Sequence, residues 1–215
     1  MWGLVILVVA VVAVAGAVAL LRRHRAPVTL AAFLRGTALA FTAACTAVIG
    51  LFLAGETIAD PGGWQAVGLI ALWLVPLAVL AGLAWYQPGW GAAALAVLLA
   101  GAIAAAGWYA ADPSGWIGYE NQHGPVRAVI SFILLLPAGL AGWRRPLTGA
   151  ALLLILGLAP VIITAAAAHL SASFTAISSP AAIGGLLFLL AAVADRRHRP
   201  PAPGGRGGRA AVQAG

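Results

Sequence analysis

The side chains able to bind or react fall into two groups. Arg35 heads an otherwise apolar run, with Thr42 and Thr46 seven and eleven residues further on and therefore on the same helical face. Ionisable residues inside a membrane are functional candidates by default. Set deep in the bilayer, this stripe, with Thr29 or Ser131 as partner to Arg35, would line an anion or headgroup path. Residues 36–54 alone nearly meet the roughly 20 positions a bilayer requires, however, so Arg35 can equally sit at the interface and snorkel.

The second group, Glu56, Asp60, Asp112, Glu120, His123 and His169, lies in or beside the connections between apolar runs. Glu120 and His123 have the Glu-x-x-His spacing that aligns two ligands on a helix, as in carboxylate-bridged metal proteins. Those sites draw ligands from four helices, and a single copy does not make one. The reading here is no metal and a solvated, capped loop from Asp112 to Arg127, with a carboxylate acid/base site on this face as the alternative. His123 and His169 would have to meet across a haem, yet both lie near loops, so no cofactor is expected.

Other chemistries are excluded more firmly. There is no lysine for a Schiff base, and Cys45 is the only cysteine, so neither an intramolecular disulfide nor a thiolate cluster can form. No nucleophile elbow, His-Glu-x-x-His helix or phosphate-binding glycine loop occurs. Ser171, Ser173, Ser178 and Ser179 near His169 read as loop composition.

The elements that must position these residues follow from composition. Of 215 residues, 63% are apolar and 8% charged, with a mean hydropathy of +1.02, against about 45–50% and 25% in soluble domains. Too little polar surface remains to cover a water-soluble globule. The chain reads as an all-α, polytopic transmembrane helix bundle whose immediate partner is the lipid bilayer. Spans are expected at Trp2–Leu21, within Val28–Ala54, and at Trp64–Tyr86, Trp90–Ala110, Val126–Trp143 and Leu147–Ala168. A seventh starts near Phe174, with Pro180 inside it, or at Pro180 itself. Residues 1–199 then form one seven-helix domain, and residues 200–215 a disordered Pro/Gly/Arg tail.

Charge orients the bundle. With seven spans and the N-terminus outside, every arginine except Arg127 falls on the cytoplasmic side with the C-terminus, as the positive-inside rule demands. The net charge of +7 is therefore topogenic, and nucleic acid is not an expected partner. Trp64, Trp85, Trp90, Trp108, Trp116 and Trp143 fall near span ends, where indoles anchor in the headgroup layer. Gly101 with Gly107, Gly149 with Gly157, and Gly184-Gly185 offer small faces for close helix contact. Pro76, Pro137 and Pro160 interrupt spans.

The chain also repeats itself. Trp85-x-x-Pro88-x-x-Gly91-Ala92-Ala93 returns as Trp143-x-x-Pro146-x-x-Gly149-Ala150-Ala151, and Ala59-Asp60-Pro61-Gly62-Gly63-Trp64 returns as Ala111-Asp112-Pro113-Ser114-Gly115-Trp116. A hairpin turn used repeatedly explains both, whether by duplication or by convergent turn chemistry.

The stretch from His123-Gly-Pro-Val-Arg127 through Phe132, Pro137, Gly142-Trp143-Arg144-Arg145-Pro146 and Gly149 to Pro160 resembles segments of uncharacterised bacterial multi-pass membrane proteins. That resemblance implies a bacterial origin and no activity; a bacterial plasma (inner) membrane location is the accompanying expectation. Three functions follow as expectations. The first is a structural or accessory protein without its own catalysis, working with a membrane-protein partner or as a homo-oligomer. The second is a small transporter or channel using the Arg35/Thr42/Thr46 face. The third is an enzyme on an apolar lipid or isoprenoid substrate, using the outer-face carboxylates.

Overall fold

The computed structural model describes residues 29–59, 63–169 and 172–197. Its helices are α1 (Leu30–Ala59), α2 (Gly63–Tyr86), α3 (Pro88–Ala111), α4 (Pro113–His123), α5 (Val126–Arg144), α6 (Pro146–Ala166) and α7 (Ala172–Arg197). All except α4 contain a stretch long and apolar enough to cross a membrane, six in total among the described residues. The span expected at Trp2–Leu21, the tail from Pro200, and Asp60 lie outside the described residues.

Apolar runs set the six long helices within a few residues of their expected limits. The last begins at Ala172 and carries Pro180 inside it, the longer of the two expected forms. Its first turns lose one backbone bond at Pro180, because proline has no N–H. The Ser179 hydroxyl donates to the Ala176 carbonyl at 3.0 Å, the acceptor that Pro180 leaves open.

The loop expected between Asp112 and Arg127 is largely helical, a correction with a local cause. Asp112 accepts from the Gly115 N–H at 2.9 Å, and Pro113 occupies the first turn. Such a cap and N-terminal proline start a helix whatever the hydropathy that follows. Gly124, at φ +86°, turns the chain into α5, a conformation that costs glycine nothing.

The helix α5 is the centre of the bundle, packing on α1, α2, α3, α6 and α7. Half of its spanning stretch is buried, against 17% for α2 at the rim. Phe132 fits against Gly50 of α1 and meets Trp73 of α2 edge-on at 5.2 Å. Further along, Gly139 abuts Thr42 of α1, and Gly142 abuts Phe188 of α7. Gly157 and Gly185 bring α6 and α7 together in the same way. Gly101 and Gly107, expected to form a contact face, instead look onto open space.

The repeated motif builds one turn twice. Gln87 (φ −129°, ψ 72°) joins α2 to α3 and Arg145 (φ −133°, ψ 85°) joins α5 to α6. Their N–H groups donate to Leu83 and Ala141 at 2.8 and 2.9 Å, and their carbonyls accept from Gly91 and Gly149 at 2.9 and 3.0 Å. In each hairpin the glycine three residues after the proline rests on backbone before the tryptophan: Gly91 on Ala84, Gly149 on Gly142. Arg144 lies over the Trp85 ring at 5.1 Å and links the two turns.

A side chain at position 149 has nowhere to go. Gly149→Ala would drive a Cβ into the Gly142 backbone, and the expected loss is about 1–3 kcal/mol of unfolding free energy, measured by denaturation in mixed micelles. Gly101→Ala, which meets nothing, is expected to be neutral or to gain up to about 1 kcal/mol.

Candidate functional site

Polar groups gather at the two ends of the bundle. At the arginine-rich end, Arg35 of α1 forms an ion pair with Asp195 of α7. The side chains keep 27% and 38% of their exposure, so this is an interfacial pair tying the first described helix to the last. Thr29 is not a partner of Arg35; its hydroxyl accepts from the Ala32 N–H at 3.2 Å at the head of α1. Ser131 sits near the start of α5, at the opposite end of the bundle.

Thr42 and Thr46 do share the Arg35 helix, and both are buried, but each hydroxyl is used locally. Thr42 donates to the Leu39 carbonyl at 3.0 Å and Thr46 to the Thr42 carbonyl at 2.8 Å. The Thr42 side chain is wedged between Gly139 and Gly184, the point where α1, α5 and α7 meet. Such back-bonding satisfies a hydroxyl without any partner helix.

The carboxylate end is richer. Glu120 of α4 takes the Arg127 guanidinium in a two-point pair, with Nε to Oε1 at 2.9 Å, and its Oε1 also accepts from the Arg127 N–H at 3.3 Å. Only 12% of the Glu120 side chain and 22% of the Arg127 side chain remain exposed. The guanidinium also lies 5.5 Å from the Tyr109 ring, and the Tyr109 hydroxyl donates to the His169 carbonyl at 3.3 Å. Four elements are thereby drawn together: α3, α4, the start of α5 and the connection before α7.

Aromatic packing fixes α4 over this end. Trp116 is buried edge-on to Trp108 at 5.2 Å, so it is a core residue and not the exposed anchor its position suggests. Tyr119 stacks on His123 at 4.3 Å. His123 Nδ1 lies 3.0 Å from the Tyr119 carbonyl, and Glu120 faces Arg127, so the Glu-x-x-His pair does not converge on a shared ligand. Glu56, Asp112 and His169 are exposed. Among the described residues, no three histidine, cysteine, aspartate or glutamate side chains come close enough to hold a metal ion.

Beneath the Glu120–Arg127 pair is a cavity of about 40 Å³ between α3, α5, α6 and α7. Arg127, Ser131 and Ser178 supply its polar lining, and Leu156 and Pro160 of α6 form part of its wall. The chain from α3 to just beyond α7, residues 88–201, matches the family described as Domain of unknown function (DUF7670). The chain belongs to that family. No curated protein and no solved structure matches it. The DUF7670 segment contains the whole carboxylate-end cluster, the cavity and Asp195, whereas Arg35, Thr42 and Thr46 come from α1 outside it.

Neither Asp195 as a partner nor the cavity was reached by sequence reasoning. The available signal for Asp195 was its position as the sole acid on the side that carries Arg35.

Asp112 titrates below the usual carboxylate range, first because the Gly115 N–H and then because the Ser114 hydroxyl favour its charged form. A carboxyl lowered by folding stabilises the folded state above its unfolded pKa of about 3.9 and ceases to as pH falls through the lower folded value. Tryptophan fluorescence from α4 is therefore expected to change at acid pH, and Asp112→Asn, which keeps a capping oxygen, to flatten that response. Arg127→Gln strands a mostly buried carboxylate and is expected to cost about 2–3 kcal/mol, less than the 3–5 of a fully buried pair. In thermal unfolding, adding Glu120→Gln should recover part of the loss.

Proposed function

We propose that this chain is a multi-pass protein of a bacterial plasma membrane, of structural or accessory type and without its own catalysis. On this reading there are seven spans, counting Trp2–Leu21, with the N-terminus outside and the Arg35–Asp195 end in the cytosol. The arginines at positions 144, 145 and 196 share that end, and the positive-inside rule assigns it to the cytoplasmic face. Membrane-protein partners or further copies of the chain are reached through exposed apolar faces, of which α2 offers the largest share.

The observation that carries this reading is that the paired polar groups hold helices together, while the Arg35 Nε and the Thr37 hydroxyl stay buried without a partner. Arg35 is paired with Asp195 and Glu120 with Arg127. The hydroxyls of Thr42, Thr46 and Thr164 donate to carbonyls of their own helices. A transport path along the Arg35/Thr42/Thr46 face would have to part α1 from both α5 and α7 at Thr42, whose side chain packs against Gly139 and Gly184. Of the described carboxylates proposed for an enzyme, Glu56 and Asp112 are exposed and Glu120 is paired with Arg127.

Proteoliposomes containing the full chain test the assignment. The expected result is the ion conductance and proton leak of empty vesicles, with Arg35→Gln changing thermal stability and not permeability. A flux above the empty-vesicle background that Arg35→Gln abolishes would establish a transporter instead. Reporter fusions after Arg144 are expected to remain cytosolic.

A further inference from the structure

Proline at position 160 removes the N–H that would otherwise bond the carbonyl four residues earlier, that of Leu156. In α7 the equivalent loss at Pro180 is made good by the Ser179 hydroxyl. The hydroxyl nearest to this break in α6, Thr164, is turned the other way, donating to the Pro160 carbonyl at 2.8 Å. What adjoins the break is the cavity: Leu156 and Pro160 both line it, opposite Ser131 of α5 and the buried Ser178 of α7.

Volume and chemistry together select the occupant. At about 40 Å³ the cavity has room for roughly three or four water molecules, each requiring roughly 10–15 Å³ and two to four polar partners. The hydroxyls of Ser131 and Ser178 provide donors and acceptors together, and Leu156 and Pro160, which bound the break, line the same space. A halide or other small anion could accept from Arg127 and the serines but could not donate to the Leu156 carbonyl. Arg127 is moreover already neutralised by Glu120. A water can do both.

We propose that this cavity is a built hydration site, in which water bridges the Leu156 carbonyl to the hydroxyls of Ser131 and Ser178 and so completes the backbone bonding of α6 at its proline. The site belongs wholly to the DUF7670 segment and does not depend on the accessory role proposed above. Water here holds α6 to α5 and α7 through exchangeable bonds, leaving α6 free to bend at Pro160 beneath α4.

Radiolytic hydroxyl labelling of the full chain in lipid nanodiscs reads the site directly, since radicals formed from bound water oxidise the side chains beside it. Leu156, Pro160 and Ile177 are expected to label severalfold faster than Leu153, which is fully buried one turn away and does not line the cavity. Ser178→Val, which fills the space with methyl groups, is expected to abolish the excess. Equal labelling of Leu156 and Leu153, or an excess that survives Ser178→Val, overturns the proposal. Thermal unfolding gives a second reading: Ser131→Ala lowers the midpoint in the parent chain but not in Pro160→Ala, where the Leu156 carbonyl regains an N–H. Equal shifts in both backgrounds would also count against it.

Discussion

Inside lipid, an apolar side chain gains little by exchanging acyl chains for a neighbouring helix, so helices associate through close van der Waals contact and polar bonds. In this bundle that contact is concentrated on α5. Gly139, Gly142 and the facing Gly149 let α1, α6 and α7 approach its backbone, and Phe132 reaches across to Gly50 and Trp73. Small residues have little side-chain entropy to lose on packing. The remaining architecture follows from that centre, with α2 at the rim exposing valines and leucines to lipid.

Polarity is arranged around the same constraint. The hydroxyls of Thr42, Thr46 and Thr164 bond to their own helices, which costs no partner and no close fit. Full charges are kept to the ends, and two pairs there cross between helices: Arg35 with Asp195 at one end, Glu120 with Arg127 at the other. These pairs differ in character. The first is open enough to be screened and acts mainly as a register mark between α1 and α7. The second is largely enclosed, supported by the Tyr109 ring, and fastens α4 to the start of α5.

The long helices were legible because an apolar run of bilayer length leaves the backbone only one way to satisfy its bonds. The doubled hairpin turn was legible as well, since Trp-x-x-Pro-x-x-Gly encodes a local geometry. The short α4 was missed: its eleven residues carry no apolar period, and only the Asp112-Pro113 cap announced it. Gly101 and Gly149 look alike in sequence, yet one faces open space and the other a helix backbone, because which face turns inward depends on partners far along the chain. The partner of Arg35 and the cavity under Arg127 were hidden for the same reason. Each is assembled from helices whose adjacency no local pattern specifies.

The ion pair between α1 and α7 also imposes an order on biosynthesis. Arg35 and Asp195 are separated by about 160 residues, which a ribosome adding roughly 5–20 residues per second needs on the order of ten to thirty seconds to bridge. Throughout that interval the Arg35 guanidinium is without its carboxylate partner. The seam between α1 and α7 consequently stays open until α7 has been made, and the closing event is the arrival of a carboxylate.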